Sequence, residues 1–208
     1  IVLTYNLCAY IAGASSILSS NVSALPDWAW KLIFYAFAAV VALFGLKILG
    51  FAEQGATIAI FASVGALIIG SFFHLDNEFN FIPESASRVI GFFGVAMFAF
   101  NAFFCVPQVV DGLDGDEKKI RKSIGLGMLF NAITIILVMI FAVLASEGLK
   151  EGVPCTDAWA SGIGNWARAV GCIFTVLAMF STYWSVSFAL RDILKNELKI
   201  SFRLCWLI

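Results

Sequence analysis

One stretch limits the possible folds more than any other: the chain carries no charged residue between Arg88 and Asp111. About 20 apolar residues at 1.5 Å each cover the ~30 Å hydrocarbon core of a bilayer, so residues 89–111 are long enough to cross a membrane. Pro107 lies inside this stretch and has no N–H, so the carbonyl of Phe103 loses its helical partner. The sequence therefore predicts a membrane span whose helix is broken before this proline.

Asn101 lies near the middle of the same span, where lipid offers its side-chain amide no hydrogen-bonding partner. A break at membrane depth persists only where protein or a water-filled cavity surrounds it, and many transporters build their substrate sites at such breaks. We therefore expect a break near residues 100–103 that lines a binding site. The alternative is a proline-kinked span with a packed asparagine.

The composition is that of an integral membrane protein. The 208 residues are 61% hydrophobic and 13% charged, whereas about 25% of a typical soluble domain is charged. The net charge of −1 gives no reason to expect nucleic acid as a partner. The five cysteines form no CxxC pair and show no spacing to histidine that would indicate a metal site. The chain begins and ends on apolar residues without an initiator methionine, so we expect a fragment of a longer polytopic protein.

Six apolar runs are long enough to cross a bilayer, and a truncated seventh begins at the end of the chain. We therefore expect one all-α polytopic membrane domain over residues 1–208, with residues 50–54 forming a tight connection between two spans. The predicted spans are residues 1–20, 28–49, 55–73, 89–111, 124–145, 165–190 and 204–208.

The basic residues between these spans predict the orientation. Nine of the 13 lysines and arginines fall on one side of the predicted membrane and four on the other. Cytoplasmic loops carry the excess of lysine and arginine. We therefore expect a multi-pass protein of the cell membrane, with loops 112–123 and 191–203 in the cytoplasm.

The interiors of the spans so defined contain no Asp, Glu, Lys or Arg, which argues against a carboxylate-based proton pump and against a voltage sensor. Neutral polar groups with freed backbone carbonyls suit a zwitterion or a monovalent cation, although they also serve as interhelical hydrogen bonds. The neutral polar residues at depth are Asn101, Asn131, Thr134, Thr175, Ser181, Thr182, Ser185 and Ser187.

Four stretches of the chain resemble the amino acid/auxin permease branch of the amino acid–polyamine–organocation transporters. They are YIAGASSILSS (10–20), YAFAAVVALFGLKILGFAEQ (35–54), FAFNAFFCVPQVVDGLDGDEKKIRKSIGLG (98–127) and VLAMFSTYWSVSFALRDIL (176–194). The resemblance implies a partial LeuT-type inverted-repeat fold, comprising about spans three to eight and the start of span nine. It also implies that the missing spans of the same chain complete the structure.

The resemblance further implies secondary active transport of an amino acid across the lipid bilayer, with no enzymatic activity and no cofactor. The substrate is expected at the broken sixth span, where Phe100 and Phe103 favour an apolar or aromatic amino acid. The alternative is a structural or channel-type membrane subunit with a proline-kinked helix. The expected substrate-binding residues are Phe100, Asn101, Ala102, Phe103, Tyr5, Tyr10 and Ser181.

Ser181 and Thr182 are the predicted ion-binding residues. In sodium-coupled relatives, a neighbouring pair of hydroxyl residues on span eight coordinates sodium, and this pair occupies the corresponding span. Some proton-coupled members carry a lysine on span five, whereas residues 55–73 contain none. Sodium and protons both stay open as the coupling ion.

Overall fold

The computed structural model of the chain describes the larger part of the sequence. The described residues are 2–22, 24–43, 46–74, 90, 100, 105–146 and 155–198. Within these ranges all regular secondary structure is helical.

Seven α-helices account for the described part of the chain. Four of them contain segments long and apolar enough to cross a membrane: Val2–Asn21, Gly50–Ser71, Glu117–Ala145 and Asn165–Lys195. The described residues therefore have the all-helical character that the sequence predicts for a membrane protein. The helices are α1 (Val2–Asn21), α2 (Asp27–Leu43), α3 (Leu46–Ser71), α4 (Val106–Gly112), α5 (Glu117–Ala145), α6 (Cys155–Ile163) and α7 (Asn165–Leu198).

The boundary between the second and third predicted spans was wrong. Helix α2 ends at Leu43 and α3 begins at Leu46, so residues 50–54 lie inside a helix and form no tight connection. Gly50 suggested a turn, but a glycine inside a helix costs only about 1 kcal/mol relative to alanine, which tertiary packing readily offsets. With 17 residues, α2 is about 26 Å long and slightly shorter than the hydrocarbon core.

The helix that contains the fifth predicted span begins earlier than that span, at Glu117, because the charged segment before the span is helical. Asp116 caps α5: its carboxylate accepts hydrogen bonds from the backbone N–H groups of Lys118 and Lys119 at 3.1 and 3.2 Å. The backbone N–H of Lys119 and then its ammonium lower the pKa of Asp116. Since this pKa is lower in the folded state, the stabilisation by the cap is present above the unfolded pKa and is lost as the pH falls through the folded one.

One apolar cluster joins α1, α2 and α7. The ring of Phe34 stacks on that of Phe180 at a centroid distance of 4.0 Å, and the indole N–H of Trp184 donates to the carbonyl of Ala38 at 3.3 Å. These contacts hold the three helices together. The buried members of this first cluster are Ala14, Phe34, Ala38, Tyr183, Trp184 and Phe188.

A second apolar cluster lies where α3 and α5 end and α7 begins. The indole N–H of Trp159 on α6 donates to the Ser71 hydroxyl at 2.6 Å, and that hydroxyl donates to the carbonyl of Leu67 at 2.8 Å. Helix α6 occupies a segment that the sequence assigned to a loop, and its Trp159 is buried. The buried members of this second cluster are Leu67, Ala142, Ala145, Trp159, Ala160, Ile163 and Ala167.

Because Phe34 is a buried member of the first apolar cluster, we predict that Phe34→Ala destabilises the protein. Phe34 is only 1% exposed, so the substitution leaves a cavity between α2 and α7. We expect it to lower the free energy of unfolding in detergent by about 2–4 kcal/mol, because lost packing contacts and the cavity matter even where lipid replaces water. Phe51→Ala is the control, since Phe51 is 81% exposed. Equal effects of the two substitutions, measured by denaturant titration, would contradict the placement of Phe34.

Candidate functional site

Ser185 on α7 makes two polar contacts that join three helices. Its hydroxyl donates a hydrogen bond to Oε1 of Glu53 on α3 at 3.0 Å. Its backbone carbonyl accepts one from the side-chain amide of Gln108 on α4 at 2.9 Å. All three side chains are half-buried. Together with Cys105 and Tyr10, described next, these residues form what we call the Ser185 cluster.

The start of α4 supplies the cysteine of the cluster. Cys105 is the N-cap residue of α4, and Pro107 follows in the first turn, where its missing N–H costs nothing and its fixed φ suits a helix. Cys105 is half-buried. Cys105 and Gln108 are three positions apart, so this turn presents both to α7.

Helix α1 supplies the tyrosine. Tyr10 is half-buried and packs against the first apolar cluster. One turn further along α1, Gly13 faces Met179 on α7 so closely that an added Cβ would lie 2.9 Å from the methionine methyl group. The absence of a side chain at Gly13 lets α1 approach α7, which brings Tyr10 to the cluster.

Glu53 lies inside an apolar helix. It is seven positions after Leu46, about 10 Å along α3, and falls within the segment Gly50–Ser71 that is apolar enough to cross a membrane. A charge inside a membrane helix is costly, and such residues usually mark ion or substrate pathways. The hydrogen bond from Ser185 satisfies one carboxylate oxygen. Glu53 is therefore the residue of the described chain best suited to handle an ion at depth.

The sequence assigned Glu53 to a connection between two spans, whereas the structure places it inside α3. A signal was present in the sequence. The run before it, LKILGFA, contains no proline or asparagine that would end a helix, and apolar Ala52 and Ala56 flank the glutamate. In the structure Ala56 is buried and Ala52 packs against the first cluster, so α3 continues through Glu53 with one face covered.

The predicted substrate residues lie in different places, and Ser181 among them is described below with the predicted ion-binding pair. Tyr10 is part of the Ser185 cluster. Tyr5 is 75% exposed and lies away from it, because five positions turn a helix by about 140° relative to Tyr10. Phe100 is half-buried and lies in a turn. The remaining three, Asn101, Ala102 and Phe103, lie outside the described residues, so the break near residues 100–103 stays a prediction.

The structure does not bring the predicted ion-binding pair to a common place. Ser181 is half-buried one turn before Ser185, on the same face of α7. Thr182 is exposed, and its hydroxyl donates to the carbonyl of Ala178 in its own helix at 2.8 Å. Adjacent positions on a helix differ by about 100°, so the two hydroxyls face different directions. The hydroxyl residue that joins helices here is Ser185.

Comparison of the chain with protein-family models, with curated proteins and with solved structures found no match. The fold and the site define a class: a helical membrane protein with a hydrogen-bonded carboxyl group inside an apolar helix. The resemblance to amino acid/auxin permeases rests on the four quoted stretches and stays a prediction.

Proposed function

We propose that this chain belongs to a secondary active amino acid transporter of the cell membrane. The proposal includes a partial LeuT-type fold, a substrate site beside the break near residues 100–103, and a cytoplasmic location for residues 112–123 and 191–203, although residues 117–123 and 191–198 are helical and not loops. The observation that carries it is the Ser185 cluster. Transporters need polar groups inside the membrane next to a helix that changes position, and the cluster provides them at the start of α4.

The arrangement of the helices supports this proposal in a second way. Helices α1, α2 and α7 share the first apolar cluster, which makes them one packed unit. Helix α4 has only seven residues, and none of its side chains is fully buried. It is joined to α7 through the Gln108 hydrogen bond. A short half-helix held by polar contacts against a packed unit suits the gating movement that alternating access requires.

The test is uptake of labelled amino acids by proteoliposomes containing the protein expressed from its whole gene. We expect saturable accumulation that requires an imposed ion gradient, and sodium and proton gradients are applied separately to identify the driving ion. A structural subunit with a kinked helix predicts no uptake under either gradient, and a channel predicts movement that never exceeds equilibrium. Either outcome would contradict the proposal.

A further inference from the structure

We propose that Glu53 is a proton-binding site whose protonation state is passed through Ser185 to the start of α4. The inference deepens the proposed transport function, because it names a residue for proton coupling. It starts from two hydrogen bonds: Ser185 to the Glu53 carboxyl at 3.0 Å, and Gln108 to the Ser185 carbonyl at 2.9 Å. One residue of α7 therefore contacts both the carboxyl group and the half-helix.

The two protonation states of Glu53 require different hydrogen bonds. An ionised carboxylate only accepts hydrogen bonds, so the Ser185 hydroxyl must donate to it. When Glu53 takes a proton from water, an O–H bond forms on the carboxyl group, which becomes neutral and gains a donor. That new O–H donates to the Ser185 oxygen, and the serine proton turns away from the carboxyl group. Release of the proton to water reverses both changes.

Among the described residues, the other titratable members of the Ser185 cluster are Cys105 of α4 and Tyr10 of α1, and both are half-buried. On α7, Arg191 lies about 9 Å beyond Ser185, where it pairs with Asp192 at 3.1 Å and lies 4.0 Å from the centroid of the Phe188 ring. Both charges of that pair are engaged with each other.

Among the described residues, the charged groups of the other packed helices are paired or exposed. On α2, Asp27 and Lys31 pair with each other at 2.6 Å at the start of the helix. The basic side chains at the start of α5 are exposed. Among the described residues, no ion pair includes Glu53. A negative charge there has the Ser185 hydroxyl as its described partner, so taking up a proton removes a costly charge from the apolar helix.

The consequence reaches α4 because Gln108 of this helix donates a hydrogen bond to the backbone carbonyl of Ser185. The residue whose hydroxyl changes direction is therefore the residue that holds α4 to α7. The protonation state of Glu53 thereby changes how the half-helix is held against α7. This links a proton to the helix beside the predicted substrate site.

The experiment is a pH-difference infrared spectrum of the protein expressed from its whole gene, in detergent or liposomes. We expect acidification to produce the carbonyl band of a protonated carboxyl group in an apolar environment. The band should be lost in Glu53→Gln and kept in Glu117→Gln, because Glu117 is an exposed carboxylate at the start of α5. Ser185→Ala should keep the band and shift its frequency, since the carboxyl loses its hydrogen-bonding partner.

A wild-type spectrum without the band, a band that persists in Glu53→Gln, or a band unshifted in Ser185→Ala would overturn the inference. Exchange of labelled amino acid across liposomes is measured on the same preparations. Exchange without the Glu53 band leaves the transport proposal standing and rejects the proton site. The band without exchange supports the proton site and rejects amino acid transport.

Discussion

Gly162→Ala is expected to lower the free energy of unfolding by about 3 kcal/mol or more, at the upper end of what overpacking costs. A Cβ built on Gly162 of α6 would overlap the backbone carbonyl oxygen of Ala145, the last residue of α5. A backbone group cannot rotate away as a flexible side chain does. The substitution must therefore separate α6 from α5 and disturb the second apolar cluster. The measurement is denaturant titration in detergent.

Gly125→Ala provides the matched control for this prediction. Gly125 also lies in a helix, but a Cβ there meets nothing within 4 Å. Alanine stabilises a helix interior by about 0.5–1 kcal/mol relative to glycine, so this variant should be unchanged or slightly more stable. If Gly162→Ala behaved like Gly125→Ala, the close contact between α5 and α6 would be wrong.

Ser185→Ala is expected to reduce the initial rate of amino acid uptake at least about tenfold, given the proposed transport function. A hydrogen bond to a charged group contributes about 1.5–3 kcal/mol, and about 1.4 kcal/mol corresponds to a factor of ten. Alanine removes the donor to Glu53 and leaves the carboxylate without its described partner. The measurement is uptake into proteoliposomes under the driving gradient found for the wild type.

Two further variants separate this effect from general damage to α7. Thr182→Ala should stay within about twofold of the wild type, because its exposed hydroxyl bonds only to its own helix and such contacts contribute little. Ser185→Thr should restore much of the uptake, since it restores a hydroxyl. Equal losses in Ser185→Ala and Thr182→Ala would indicate that the Ser185 hydroxyl has no particular role.

Helix existence and class followed from the sequence, whereas several helix ends did not. Apolar runs of sufficient length predicted helices at α1, α5 and α7. The reason is that lipid offers no hydrogen-bonding partner, so each backbone N–H and C=O must bond within the segment. The ends of α2 and the start of α3 were misplaced, since a single glycine and a charged residue suggest a turn. Whether such residues end a helix depends on what packs beside them.

Helix α6 is a second case in which the local sequence did not predict the structure. Its nine residues are too few to form a stable isolated helix in water, and the sequence around them resembles a loop. The burial of Trp159 against α3 and its hydrogen bond to Ser71 supply the tertiary contacts that stabilise it. Those partners are far away in sequence, so no local pattern could have identified them.

The sequence by itself determined that this chain forms helices that are apolar and of membrane length. These properties follow from local composition and backbone chemistry. Only the tertiary structure decided that Glu53 lies within α3. It also decided that Ser185 of α7, rather than Thr182, bonds to both Glu53 of α3 and Gln108 of α4. A hydrogen bond between residues 132 positions apart depends on the rotation and approach of two helices. Contacts between helices that are distant in sequence determine that geometry, and local sequence does not encode it.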